Sequence, residues 1–358
     1  MLRKFIVLAI AVSGYYQASS QDSTVITEEK PKPVISGSLD AYYRYNFANP
    51  KDNLFNNFTS FTNSHNSFEL GMASIKVEHS IGKVGAVLDI GYGRRAAEFS
   101  YPYQEENTSL LAIKQAYLTY SPSSAVKFTF GSWATHVGYE LVDAYLNRNY
   151  SMSYMFSYGP FFHTGLKADI SLGGKSAIMV GVTNPTDLRT ASNMPKMFIG
   201  QFSTGSKNDK FKAWLNYQGG KFADDGRLNQ GDVVLTYAVS DKFSLGYNGT
   251  VQSRSGKDST GKWSDAASWW GSALYVNIDP VSWFGLTVRG EYFDDKKDVL
   301  GFNSSIIVPT VSLNFKVDHL TIIPEFRFES AKDPLYIKNS GDNTKSTGSF
   351  ILGATYHF

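Results

Sequence analysis

The sequence predicts an all-β chain closed into a transmembrane barrel of about sixteen strands. Three observations lead there. The 358 residues include 22 Tyr, 25 Phe and 31 Gly, while only 18% are charged, a composition of strands and turns rather than helices. Apolar and polar residues alternate over runs near the ~9–11 residues with which a tilted strand crosses a bilayer. Short turns also alternate with long polar connections, the layout of a bacterial outer-membrane barrel. A soluble sandwich has no reason to sort its loops this way. Mean hydropathy below zero is too polar for a bundle of membrane helices and suits a wall whose every second side chain meets lipid.

The chain opens with a secretory leader over residues 1–20. Arg3 and Lys4 precede an apolar run, and Ala18, Ser19 and Ser20 offer small residues before Gln21. The run is too short to span a bilayer as a helix; a buried N-terminal helix is the plain alternative. Cys is absent throughout, so no lipid-bearing Cys, disulfide or thiolate metal site enters the reading. Removing Arg3 and Lys4 from the 34 Lys and Arg leaves 32, which matches the 32 Asp and Glu. A neutral chain gives no reason to expect a nucleic-acid partner. Residues 21–33 are polar, with Pro31 and Pro33, and read as a disordered lead-in. The barrel is expected from 34 to 358.

Strands are expected at 34–47, 68–80, 84–94, 112–120, 126–131, 163–172, 176–183, 197–204, 211–218, 232–239, 243–253, 269–278, 284–293, 305–315, 320–329 and 347–358. Long connections are expected at 48–66, 95–111, 132–162, 184–196, 219–231, 254–268, 294–304 and 330–346. Those between them are short, so both chain ends fall on the short-turn, periplasmic side. In 284–292, Phe284, Leu286, Val288 and Tyr292 oppose Thr287, Arg289 and Glu291, which keeps charge off the lipid face, where Lys or Arg costs ~2–4 kcal/mol at the midplane. Aromatic girdles are expected from Tyr120, Phe243, Trp283 and Phe284 at one rim, and from Trp269, Trp270, Tyr292 and Phe293 at the other. Closure pairs the last strand with the first, and Tyr356 and Phe358 supply an aromatic end of the kind that marks barrel insertion.

Residues 131–165 are the longest interruption, rich in aromatic rings and carrying His136, Glu140, Asp143 and Arg148. Gly131, then Gly138-Tyr139-Glu140, Asn149-Tyr150-Ser151 with Ser153, Pro160-Phe161 and His163-Thr164-Gly165 resemble the OmpL-like β-barrel porins, channels of Gram-negative outer membranes. Met152 follows the Tyr-Ser pair, where that family often carries Arg. The resemblance implies a porin without catalytic residues. The third long loop, 132–162, is expected to bend inward and narrow the pore. Glu140, Asp143 and Arg148 would set a transverse field there, with Arg44, Arg289, Glu291, Glu325 and Arg327 as partners on the wall. The alternative is a loop lying outside as a lid, its charges solvated.

Other chemistry finds little support. The histidines at 65, 79, 136, 163, 319 and 357 contain no HExxH spacing or cluster, and no metal or cofactor is expected. His163 reads as a hydrogen-bonding residue at a strand start. Asp224-Asp225 and Asp294-Asp295 read as solvated loop acids, with divalent ions bridging lipopolysaccharide as the sharper alternative. No nucleophile motif appears. The expectation is a passive channel; the alternatives are a barrel enzyme and a plugged structural or adhesive barrel. Expected partners are outer-membrane lipid and lipopolysaccharide, the barrel-assembly machinery and small hydrophilic solutes, with a homo-oligomer permitted.

Overall fold

The structure, a computed structural model, describes residues 31–51, 55–100 and 112–358. The expected leader, most of the lead-in and most of connection 95–111 lie outside the described residues. Among these residues the strands in chain order are β1 (Val34–Asn46), β2 (Ser67–Ile81), β3 (Val84–Tyr92), β4 (Ile113–Ser123), β5 (Val126–Ala134), β6 (Phe162–Gly173), β7 (Ser176–Thr183), β8 (Met197–Gly205) and β9 (Phe211–Ala223). They continue as β10 (Gly226–Ser240), β11 (Phe243–Gly256), β12 (Ala267–Val281), β13 (Phe284–Asp294), β14 (Ser305–Val317), β15 (Leu320–Ala331), β16 (Tyr336–Ile337), β17 (Asn343–Thr344) and β18 (Ser346–His357). All but β16 and β17 form one closed antiparallel barrel of sixteen strands. β16 and β17 are a small ribbon within the last long connection.

Closure runs through the last strand. β18 lies antiparallel to β1, with Leu39 opposite Tyr356 and Tyr43 opposite Leu352. Phe358 exchanges backbone hydrogen bonds with Gly37, at 3.0 and 3.1 Å. A sealed ring leaves no edge of unpaired amides in the bilayer, where each would cost several kcal/mol. The period-two alternation sorts the wall as expected. Phe198, Leu215, Val251, Phe326 and Leu352 are exposed on the outside, while Arg289, Glu291, Glu325 and Arg327 are buried on the inside.

Three expectations are corrected. Residues 219–231 are not a long loop: β9 and β10 continue as a ladder through Gln218↔Gln230 and Lys221↔Arg227 and turn at Asp224-Asp225. This hairpin stands beyond the membrane, so its outward residues are polar and imitate a loop. Trp269 and Phe293 do not belong to the girdle. Both are fully buried inside, packed with Tyr154 and Phe302, while their neighbours Trp270 and Tyr292 pack at a tilt outside with ring centroids 5.1 Å apart. Adjacent strand residues point to opposite faces, so only one of each pair can meet lipid. Finally, β3 stops at Tyr92, and a short helix, α1 (Arg94–Phe99), follows.

Candidate functional site: the segment between β5 and β6

Between Ala134 and Phe162 the chain forms a 3-10 turn, Ala144–Leu146, and a short helix, α2 (Tyr154–Tyr158). Ser153 caps α2, its hydroxyl accepting from Phe156 N at 3.1 Å. The side chains of this segment supply much of the buried apolar surface. Tyr154 joins Trp269 and Phe293; Met152, Phe156 and Phe161 pack with Phe61 and Phe99; Tyr150 packs with Tyr42, Ile323 and Ile351.

Charged residues of the wall, with Glu140 of the segment itself, hold its backbone. Glu140 Oε1 accepts from Arg289 at 2.5 Å and from Tyr275 OH at 3.1 Å, while Oε2 accepts from Ser153 N at 2.7 Å. Arg289 also donates to Ser151 O at 2.8 Å. Glu325 accepts the amides of Tyr150 and Ser151 at 2.7 and 3.1 Å. Arg327 donates to Met152 O at 2.7 Å, and Glu291 accepts from Met155 N at 3.1 Å. Every one of these charges is at most 5% exposed. The opposed charges of the expected constriction therefore face one another and the main chain, not open water. Burial on this scale is tolerated only where each charge is paired and hydrogen-bonded.

The other three expected residues behave differently. Arg44 does not meet the segment's charges; it donates to the carbonyls of Phe55, Ser64 and Asn56 in the first long loop at 2.7–3.1 Å. Asp143 pairs with Lys114 of β4 at 2.6 Å. Burial raises the Asp143 carboxyl, and Lys114 opposes that shift. Arg148 makes a two-pronged pair with Asp279, both contacts 2.9 Å, and Lys316 reaches the same carboxylate at 3.1 Å. This trio keeps 26–38% of its side-chain surface exposed.

Sequence reading missed the wall glycines. A Cβ at Gly353 would lie 2.3 Å from the Tyr150 ring, one at Gly271 2.4 Å from Met155, and one at Gly246 2.7 Å from the Tyr139 ring. Each is a socket for one side chain of the segment. Their shared signal was an inward register position, which a reading of strand glycine as mere weakness passes over.

Against β8–β11 the contacts are sparser and mostly neutral. Asp232 accepts from Gly138 N at 3.1 Å and from the amides of Asn216 and Asn248 at 2.7 and 2.6 Å. Gln218, Gln230 and Gln252 link by amide hydrogen bonds of 2.7 and 3.0 Å. His136 Nε2 lies 3.1 Å from Tyr217 O, and burial lowers its imidazole to about 4, which leaves it neutral. His163 Nε2 lies 3.2 Å from Thr135 Oγ1, in the hydrogen-bonding role expected of it. A cavity of about 260 Å³ lies along this side, bounded by Val137, Tyr139, Gln201, Trp214, Asn216 and Thr236. A larger one of about 860 Å³ opens nearer the long loops, bounded by Phe58, Tyr158, Phe161, Asp187, Gln252 and Arg254. Asp187 accepts from Phe161 N and Phe162 N at 2.7 and 3.0 Å, and burial raises its carboxyl to about 7.

Comparison with known proteins agrees with this architecture. The family described as "Putative beta-barrel porin-2, OmpL-like" matches residues 34–358. No curated protein matches the chain. Among solved structures, the outer membrane channel DcaP of Acinetobacter baumannii is similar at TM-score 0.63 and 11% identity, covering 93% of this chain and 99% of that one. An anion-selective porin from Comamonas acidovorans is similar at TM-score 0.58 and 11% identity, covering 91% and 99%. OmpT of Vibrio cholerae, in a form lacking loop L8, is similar at TM-score 0.57 and 11% identity over the same shares. At these identities the likeness is one of fold.

Proposed function

This chain belongs to the OmpL-like β-barrel porins and is an outer-membrane channel, and from that premise we propose where its solutes pass. Segment 135–161 is a partition inside the lumen. It is fixed to the β12–β18 wall, and small hydrophilic solutes and ions pass along the β8–β11 wall, down their own gradient. The observation that supports this route is the pair of cavities, about 860 and 260 Å³, one to either side of the Gln218, Gln230 and Asp232 layer. That wall presents amides and hydroxyls with one mid-height carboxylate, Asp232, between Lys212 near the short turns and Arg254 near the long loops. Amide rows exchange hydrogen bonds with a passing solute at small net cost. Asp232, buried among Asn216 and Asn248, stands between the two cavities; Arg148, Asp279 and Lys316 stay part-exposed on the β12–β14 side, with Glu140 and Arg289 acting as anchors.

Single-channel recording of the refolded protein in a planar bilayer tests this. Steady ohmic steps are expected, and they grow when residues 139–147 are deleted. A silent bilayer supports the plugged-barrel alternative. Equal steps with and without the deletion remove the segment from the pore.

A further inference from the structure

Above the girdle on the β8–β11 side, the outer face of the barrel carries a cationic cluster that the channel reading does not use. Tyr217, Val251 and the exposed Trp270 lie in one row across the strands, since Gly231 pairs with both Tyr217 and Val251, and Val251 pairs with Trp270. Four residues further along β9 is Lys221, about 13 Å along the strand at ~3.3 Å per residue. Lys221 pairs with Arg227, and Arg227 with Ser255; Lys196 directly precedes Met197, which pairs with Gly220. Lys257 bridges to Trp263. Alternation puts these cations on the face of Tyr217, and all four are exposed.

The cluster is organised around one ring. Arg227 stacks on Trp263 with its guanidinium carbon 3.7 Å from the ring centre, and the ammonium groups of Lys257 and Lys221 stand 5.3 and 6.0 Å from it. Among the described residues, none of Lys196, Lys221, Arg227 and Lys257 has a carboxylate within ion-pair distance. The nearby acids are used elsewhere: Asp224 and Asp225 form the turn above, and Asp258 accepts from Thr260 and Lys262. Stacking leaves the in-plane N–H donors of Arg227 free, the geometry that grips a phosphate with two parallel hydrogen bonds.

We propose that Lys221, Arg227 and Lys257, arranged around Trp263, with the exposed Lys196 on the same face, bind the phosphorylated sugar headgroup of the outer-leaflet glycolipid, lipid A. Three features point to that occupant: the position just beyond the aromatic girdle, the outward direction, and clustered positive charge with no carboxylate within ion-pair distance among the described residues. The acyl chains of the same lipid would lie on Phe198, Leu215 and Val251, which are exposed below the cluster.

The test is titration of the full-length refolded protein, in neutral detergent, with fluorescent bis-phosphorylated lipid A. The variant K221Q/R227Q/K257Q binds roughly a hundredfold more weakly, at about a fivefold loss per charge. The charge-keeping variant K221R/K257R binds like the parent, as does K83Q/K242Q, altered only in short turns. Heat-modifiable gel mobility identifies folded barrels. Four results would overturn the proposal: unchanged binding in the folded triple variant, equal binding of dephosphorylated lipid A, full competition by inorganic phosphate at matched concentration, or loss of binding on chelation. The last would move the contact to a divalent ion on Asp224 and Asp225.

Discussion

The two walls that face segment 135–161 are built from different chemistry. β13 and β15 meet it with Arg289, Glu291, Glu325 and Arg327, all buried and each engaging its backbone or Glu140. β9, β10 and β11 meet it with Asn216, Asp232 and Asn248 and a row of glutamines. The first contact is buried, so it releases only at the cost of uncompensated buried charge. The second is a shell of exchangeable hydrogen bonds beside open volume. The difference teaches that charge inside a barrel does not by itself mark a pore. Arg289, Glu291, Glu325 and Arg327 are buried against the segment, while Arg148, Asp279 and Lys316 keep contact with water.

Breaking the anchored side should have the largest effect. Glu140→Ala leaves the Arg289 guanidinium buried without its 2.5 Å partner, which destabilises by about 3–5 kcal/mol. The variant should melt lower in detergent and give larger, noisier conductance steps. The apolar pair E140L/R289M should recover most of the stability, as thermal unfolding can measure. Next comes a socket. Gly353→Val places a side chain into the Tyr150 ring, and overpacking costs about 1–3 kcal/mol. The segment should then become sensitive to protease. Gly231→Ala, with nothing within 4 Å of its Cβ, should change neither property.

On the sparser side the effect falls on selectivity. Asp232→Asn replaces the mid-height carboxylate while keeping its size. The reversal potential under a salt gradient should move toward anions, with stability changed by about 1 kcal/mol. A separate effect concerns pH. Folding raises Asp187 to about 7, above the ~3.9 of a free Asp. Between those values the folded chain holds more protons than the unfolded one, so this carboxyl's contribution to stability falls as pH rises from about 4 to about 7. Melting temperature should decline over that window, and Asp187→Asn should flatten the decline.

Much of the barrel was legible because period-two alternation is strict where one face meets lipid. It failed where lipid ends. The β9–β10 hairpin carries Lys221, Arg227 and Asn229 outward into water, so its polarity imitates a loop although its ladder continues. The face of Trp269 was legible from Trp270, since neighbours cannot share a side, yet a cluster of aromatic rings at a strand end suggests a girdle whichever way each ring points. Within the site, the residue types were legible and their surroundings were not. Arg289 and Arg148 look alike as inward-facing cations, but one is sealed behind Ser151 and the other keeps 29% of its side-chain surface exposed. That distinction depends on where a loop settles, and on sockets such as Gly353 that carry no chemistry of their own.

Because the chain has no native Cys, the route can be probed one thiol at a time. The most direct measurement records current through single-Cys channels before and after a charged thiol reagent. Gln201→Cys, on the open side, should react and lose most of its current, while Ser312→Cys, behind the anchored segment, should stay unreactive with its current unchanged. Block at position 312 with none at 201 would put the passage on the opposite wall and contradict the account.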